Sequence, residues 1–266
     1  MGDLHYALAE ALGPLYRVQR EVRPVGDRRL FVVTQITGGP DLLVKVLPGP
    51  LSLALDEAML EREVLLLAER LKHPNLVAPV GAGRAGTHVF YSRPFVEGTT
   101  LRAWIDRNGE LLLARAVEIL RDVLAGLRHV HAANIAHGEL RAENVLLSGS
   151  SGSASPERGN GRAVVCDAGI ADALLRSHSA KAASPNVTRA SDPRDDMYAV
   201  GALVHEMLTG APPEPDGEPL AKRRSLPDWL VRLLDRCFAD SARRWTSAGQ
   251  ALEALGPRGN SSGSIP

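Results

Sequence analysis

The stretches HGELRAENVLL (residues 137–147) and VVCDAGIAD (residues 164–172) decide how this chain folds. Each combines an apolar run with side chains that carry oxygen: Glu139 and Asn144 in the first stretch, and Asp167 in the second. Carboxylate and amide oxygens are the hard donors that Mg²⁺ prefers, and a carboxylate can also act as a general base. Whether these residues bind a metal ion or act as a general base depends on the rest of the sequence.

The hydrophobic pattern changes along the chain. Segments rich in Val and Leu, punctuated by Gly and Pro, predict a small antiparallel sheet over residues 16–47. Apolar residues at helical spacing predict a helix over residues 53–71. Further short strands are predicted at 76–82 and 87–92, and helices at 4–12, 100–107, 112–133, 196–209, 227–238 and 246–255. Strands first and helices second predict an α+β chain with two unequal lobes.

We predict one domain over residues 1–255, with an N-terminal lobe over about 14–94 and a C-terminal lobe over about 95–255. The segment 148–161 is low in apolar residues and rich in Ser and Gly, which predicts a flexible insertion. The tail 256–266 is predicted to be disordered.

The composition indicates where in the cell the protein lies and which classes of partner it binds. Lys and Arg together number 31, as do Asp and Glu, so the net charge gives no reason to expect a nucleic-acid partner. The chain has two cysteines, Cys166 and Cys237, without metal-ligand spacing, which favours a reducing cytoplasm. No apolar stretch reaches the roughly 18 residues that a bilayer span needs, so we expect no direct membrane insertion by this chain. It is expected to be cytoplasmic, alone or as the cytosolic domain of a larger membrane protein.

Five further segments accompany the two stretches quoted first. They are LLVKVL (42–47), EREVLLLAERLKHPNLV (61–77), FVEGTTL (95–101), DDMYAVGALVHEMLTGAPP (195–213) and FADSARRWTSAGQALEAL (238–255). In this order, over roughly residues 16–255, the set resembles protein kinases of the bacterial Ser/Thr type. The resemblance implies a protein-kinase-like fold with a small antiparallel sheet and one helix in the N-terminal lobe, and a mainly helical C-terminal lobe.

The resemblance also implies roles for individual residues. Lys45 matches the lysine that holds the α- and β-phosphates of ATP, and Glu63 is its expected ion-pair partner. Asn144 and Asp167 match the two residues that hold Mg²⁺. Asp196 matches the structural aspartate that braces the catalytic loop from below.

The phosphate-binding loop departs from the family pattern. The three glycines of G-x-G-x-x-G fall on Arg23, Val25 and Arg28, and Gly26 is out of register. Glycine serves there because a Cβ obstructs close approach of the backbone to phosphate. This degenerate glycine loop predicts weak nucleotide binding, with Arg23 and Arg28 either contacting phosphate or exposed to solvent.

The catalytic loop departs as well. Glu139 replaces the catalytic aspartate, and its extra methylene moves the carboxylate by about 1 Å, which costs roughly a hundredfold where geometry is strict. Gly138 replaces the arginine that grips a phosphorylated activation segment. Arg141 replaces a lysine that approaches the transferred phosphate, and it differs from lysine in donor geometry.

Other family features are lost or altered. The stretch after Asp167 holds no Ala-Pro-Glu anchor, so Arg244 is expected to lack its usual glutamate partner. Arg93 falls at the gatekeeper position and Pro94 at the start of the hinge, which predicts a long cation at the back of the adenine pocket. The histidines His129, His131 and His137 fit core and helix-end roles better than metal binding.

Three functions remain open at this point. The resemblance and its departures favour a pseudokinase, a kinase-shaped regulatory or scaffolding module for a protein partner, with no required cofactor and at most weak binding of Mg-ATP. A weakly active Ser/Thr kinase that uses Glu139 as base is the first alternative. The second is a small-molecule phosphotransferase, since His-Gly-Glu-Leu at 137–140 is similar to a His-Gly-Asp loop. The segments at 73–77 and 198–210 favour protein kinases over this last class.

Overall fold

The computed structural model describes residues 3–25, 28–149, 161–182, 191–214, 220 and 225–255. Within them, the predicted α+β class and two-lobed kinase-like arrangement are confirmed: an antiparallel sheet comes first and a mainly helical part follows. The predicted flexible insertion lies outside the described residues except at its ends, and so does the predicted disordered tail.

The N-terminal lobe is a five-stranded sheet in the order β1-β2-β3-β6-β5, and every neighbouring pair of its strands is antiparallel. Its elements are α1 (Asp3–Leu12), β1 (Tyr16–Val25), β2 (Arg28–Gln35), β3 (Leu42–Val46), α2 (Gly49–Leu53), α3 (Glu57–Arg70), β5 (Gly81–Ala85) and β6 (His88–Pro94). Strand β4 (Leu76–Val77) lies between α3 and β5 in the chain but pairs with the sheet of the C-terminal lobe. Helix α1 packs its buried leucines onto the sheet, and α3 packs beside β5.

The C-terminal lobe is mainly helical and carries a small sheet in the order β4-β9-β8-β7. Its elements are β7 (Gly98–Thr100), α4 (Leu101–Asn108), α5 (Leu113–Ala132), a 3₁₀ turn (Ala142–Asn144), β8 (Val145–Ser148), β9 (Ala163–Cys166), α6 (Ile170–Lys181), α7 (Pro193–Thr209), α8 (Asp228–Cys237) and α9 (Ala248–Ala254). One apolar core joins α4, α5, α7, α8 and α9. Strands β8 and β9 rest on this core and present the quoted stretches at its edge.

The helix predicted over residues 53–71 begins later, at Glu57, and corresponds to α3. The separate short helix α2 ends at Leu53, where the prediction starts. The break follows from Asp56, whose side chain accepts a hydrogen bond from the Met59 amide at 2.8 Å and so caps the start of α3. From there the apolar residues recur at helical spacing, and one face of α3 is buried.

Helix α6 is absent from the prediction, which places no helix between Asp167 and residue 196. It begins directly after Gly169, whose φ of 78° lies in the left-handed region. A Cβ at this position would stand 2.6 Å from a methyl group of Leu67 on α3. The glycine therefore lets α6 start close against α3, where Ile170 and Ala173 are buried. Within the described part of the chain, no helix is long and apolar enough to cross a lipid bilayer.

Candidate nucleotide site

Strands β3 and β6 place a lysine, a tyrosine and an arginine on one face of the sheet. Lys45 lies opposite Tyr91, and Leu43 lies opposite Arg93, in the antiparallel register of the two strands. Because side chains two residues apart on a strand share a face, Tyr91 and Arg93 point the same way as Lys45. This face looks across the cleft toward the end of β9, where Asp167 begins the Asp-Ala-Gly segment.

These three side chains meet at Asp167. Lys45 Nζ donates to Asp167 Oδ2, and the Tyr91 hydroxyl donates to the same oxygen at 3.1 Å. Arg93 Nε stands 3.8 Å from the other carboxylate oxygen, Oδ1. All four residues are buried, with Asp167 only 3% exposed. Asp167, the residue predicted to bind Mg²⁺, therefore has a positively charged side chain of the protein beside each of its carboxylate oxygens.

The charges in this cluster are mutually stabilised. Burial alone would raise the pKa of Asp167, but the positive charges of Lys45 and Arg93 and the hydrogen bonds from Lys45 and Tyr91 hold that pKa below its ordinary value. Burial, and next the adjacent negative charge of Asp167, raises the pKa of Tyr91 well above 10.0. The carboxylate is therefore ionised and the tyrosine remains a proton donor at neutral pH.

Glu139, at the catalytic-base position, is flanked by two arginines. Arg28 Nη2 from the start of β2 lies 3.3 Å from Glu139 Oε2, and Arg141 Nη2 lies 3.7 Å from Oε1. The Glu139 side chain is 31% exposed, so these pairs are partly solvated. The contact with Arg28 joins the two lobes directly across the cleft.

Asn144 and Asp196 hold the loop that carries Glu139. Asn144 is buried, and its amide nitrogen donates to the Glu139 carbonyl at 2.8 Å. The Asp196 carboxylate accepts from the backbone amides of His137 and Gly138 at 2.7 and 2.9 Å, and lies 2.8 Å from His131 Nε2. Gly138 has a φ of 79°, a conformation that the arginine of the family pattern would adopt only with strain.

Two of the three histidines lie in the core of this scaffold, and the third lies at a helix end. His137 is fully buried, and its Nε2 is 3.0 Å from the Cys166 carbonyl. His131 meets Asp196, and His129 at the end of α5 lies 3.0 Å from the Arg70 carbonyl. Within the described ranges, no cluster of three or more His, Cys, Asp or Glu side chains is placed to hold a metal ion.

The predicted ion pair between Lys45 and Glu63 is wrong for this structure. Glu63 on α3 instead pairs with Arg176 on α6, at 2.7 Å. The physical reason is that α6 packs along α3 and is tied to its start: the Ser177 hydroxyl donates to the Asp56 carbonyl at 2.6 Å. Glu63 therefore faces α6, and Lys45 has Asp167 as its counter-ion.

The glycine-loop positions belong to a hairpin. Arg23 and Val25 lie in β1, Gly26 is outside the described residues, and Arg28 begins β2. The Arg28 side chain is neither free in solvent nor free for a phosphate, because it pairs with Glu139.

Arg244 has an acidic neighbour in place of the missing anchor glutamate. Its Nη1 donates to the Arg194 carbonyl at 3.2 Å and to Asp195 at 3.4 Å, and its guanidinium lies over the Tyr198 ring at 5.2 Å. The sequence predicts that Arg244 lacks its usual glutamate partner, but it does not predict these other contacts, which residues at the start of α7 supply.

Sequence reasoning missed Tyr91, which contacts Asp167, and Arg176, which pairs with Glu63. Alternation along β6 was a usable signal for Tyr91, because a tyrosine two residues from Arg93 on a strand must share its face. No comparable signal existed for Arg176, since its role depends on α6 being a helix that packs against α3.

Comparison with known proteins agrees with this architecture. The chain matches the family description "Protein kinase domain" over residues 43–255. It is 32% identical to the serine/threonine-protein kinase PknL of Mycobacterium tuberculosis over 203 residues, which cover 74% of this chain and 50% of the relative. It is 28% identical to the serine/threonine-protein kinase PknB of Mycobacterium leprae over 214 residues, which cover 78% of this chain and 33% of the relative.

The fold has solved counterparts. The crystal structure of the Mycobacterium tuberculosis PknI kinase domain superposes with a TM-score of 0.67 at 22% identity, covering 91% of this chain and 95% of that one. The chain belongs to the protein kinase family. It spans half or less of the length of these curated relatives.

Proposed function

We propose that this chain is a pseudokinase: a kinase-shaped regulatory or scaffolding module that recognises a protein partner in signalling and transfers little or no phosphate. The observation that carries the proposal is that both acidic groups required for phosphoryl transfer are already paired with cations of the protein. Asp167 is engaged by Lys45 and Arg93, and Glu139 by Arg28.

The residues at the metal position do not fit Mg²⁺. An ion about 2 Å from Asp167 Oδ1 would lie within about 6 Å of Arg93 Nε, given the 3.8 Å between those two atoms. At an effective dielectric constant of about 20, the repulsion between a divalent and a monovalent cation at that separation is about 5.5 kcal/mol, which offsets part of the attraction of the Asp167 carboxylate. Lys45 adds a second repulsion on the other oxygen. We therefore expect binding of Mg-ATP to be weak or absent.

Glu139, at the catalytic-base position, is also paired with a cation. A general base must lie within hydrogen-bond reach of the attacking hydroxyl and accept its proton. Arg28 Nη2 lies 3.3 Å from one carboxylate oxygen of Glu139 and so occupies an acceptor position that the attacking hydroxyl would need. Arg28 also covers the approach to Glu139 from the N-terminal lobe.

The direct test is incubation of purified protein with Mg-ATP and generic protein substrates. We expect no phosphate incorporation above that of a protein-free control. Incorporation that EDTA stops, and that a matched preparation of Glu139→Gln lacks, would contradict the proposal. Glu139 is partly exposed, so this variant is expected to remain folded.

One observation favours the alternative, a weakly active Ser/Thr kinase. Lys45, Asp167 and Glu139 still face a common cleft. If that alternative holds, Glu139→Asp restores the shorter base and raises the rate, whereas a pseudokinase stays inactive. The small-molecule phosphotransferase loses support, because the family match is to protein kinase domains.

The partner is proposed to be a protein, and the location the cytoplasm. A net charge of zero supports a partner other than nucleic acid. The whole protein can be larger than this chain, so the cytosolic domain of a membrane protein remains part of the proposal.

A further inference from the structure

Arg93 is a cation buried in the wall of the cleft, beside Asp167. It is 6% exposed and lies inside β6, and its Nη1 donates to the Pro94 carbonyl at 3.1 Å. Its Nε has no hydrogen-bond partner among the described residues and lies 3.8 Å from Asp167 Oδ1. A buried guanidinium needs a counter-ion, and Asp167 is the carboxylate that the structure places beside it.

The charges around Asp167 do not cancel. Lys45 and Arg93 supply two positive charges against one carboxylate. Glu63, the carboxylate expected to neutralise Lys45, pairs with Arg176 instead. The cluster therefore carries an excess positive charge at the point where a divalent cation would have to bind.

Arg93 rather than Lys45 is the fixed obstacle. A phosphate group entering the cleft offers oxygens to which a flexible lysine can turn, as the resemblance to kinases implies for Lys45. Arg93 has no such alternative, because its guanidinium is buried and its Nη1 is bound to the backbone of its own strand.

We infer that Arg93 is the residue that excludes a divalent cation from Asp167, acting as a built-in cation in its place. The inference rests on the proposed function and deepens it, because it names the side chain that keeps a divalent cation from contributing to nucleotide binding at Asp167. Removal of the positive charge at position 93 is then expected to let Mg²⁺ tighten nucleotide binding, while Lys45 and the degenerate glycine loop stay as they are.

The experiment compares the wild type with Arg93→Met and Arg93→Lys. Methionine fills similar space without charge, and lysine keeps the charge without the guanidinium. The affinity for ATP is measured by isothermal titration calorimetry, with Mg²⁺ and with EDTA. We expect Mg²⁺ to leave ATP binding by the wild type and by Arg93→Lys unimproved. In Arg93→Met we expect it to tighten ATP binding about tenfold or more.

A second variant locates the metal. Adding Asp167→Asn to Arg93→Met removes the carboxylate and is expected to abolish the gain from Mg²⁺. A thermal melt of each variant establishes that it is folded. A folded Arg93→Met protein that gains nothing from Mg²⁺ would overturn the inference, and so would an Arg93→Lys protein with the same gain as Arg93→Met.

Failure of this inference is distinct from failure of the proposed function. A wild type that transfers no phosphate, together with an unresponsive Arg93→Met, removes only the role of Arg93. Glu139-dependent phosphate transfer by the wild type removes the proposed function, whatever position 93 does.

Discussion

In this protein Asp167 is expected to be a structural residue, so that its replacement damages the fold. Asp167→Asn keeps the size of the side chain and removes its charge, which leaves two buried cations, Lys45 and Arg93, without their carboxylate. Removal of one partner from a buried ion pair costs about 3–5 kcal/mol. For a chain of this size that corresponds to a fall in melting temperature of about 6–20 °C.

The free energy of unfolding at pH 7 can be measured by urea denaturation, with a thermal melt as a second readout. Glu21→Gln is the matched control, because Glu21 pairs with Arg29 at 2.7 Å on the exposed side of the sheet. We expect this control to lose less than about 1 kcal/mol. A loss of the same small size in Asp167→Asn would refute the view that the two cations depend on this carboxylate.

The wild type and Asp167→Asn are also expected to differ in how their stability depends on pH. The folded-state pKa of Asp167 is held below its ordinary value of 3.8, with the adjacent cations outweighing burial. Its contribution to stability is therefore fully present above that value and is lost as the pH falls through the lower folded-state pKa. The stability difference between the wild type and Asp167→Asn is expected to narrow below about pH 4. A difference that stays constant down to pH 2 would contradict the assignment.

Three further changes test the scaffold by urea denaturation. Ser177→Ala removes the hydroxyl that donates to the Asp56 carbonyl, and is expected to cost about 1–2 kcal/mol; an unchanged midpoint would show that α6 is not held there. Asp196→Ala leaves two loop amides without their acceptor and is expected to cost about 3 kcal/mol or more; a loss below about 1 kcal/mol would remove its bracing role. Gly201→Ala places a methyl group 2.7 Å from Cys237 Cβ, and a cost of about 1–3 kcal/mol is expected; stabilisation would contradict the close packing of α7 on α8.

Much of the scaffold follows from local patterns in the sequence. Helix α5 was predicted to within a residue at each end, because its apolar residues recur at helical spacing over twenty residues. Strand β3 followed from a short run of Val and Leu between turn residues, which also placed Lys45 on a strand. Such signals depend only on neighbours in the chain, so a single sequence is enough to read them.

The contacts within the centre did not follow from local patterns. Arg28 and Glu139 belong to different lobes, and their pairing depends on how the lobes close on each other. Glu63 and Arg176 meet only because the residues after Gly169 form a helix that packs beneath α3. The family resemblance predicts an ion pair between Glu63 and Lys45 instead, because it assumes that Glu63 on α3 faces Lys45.

The proposed function depends on whether cations of the protein have taken over the metal position. The most direct measurement is a thermal-shift titration of the unmodified protein with ATP, run with Mg²⁺ and with EDTA. We expect a small or absent shift in melting temperature that is no larger when Mg²⁺ is present. A rise of several degrees that requires Mg²⁺ would contradict it, because only a ligand far above its dissociation constant stabilises the folded state to that extent.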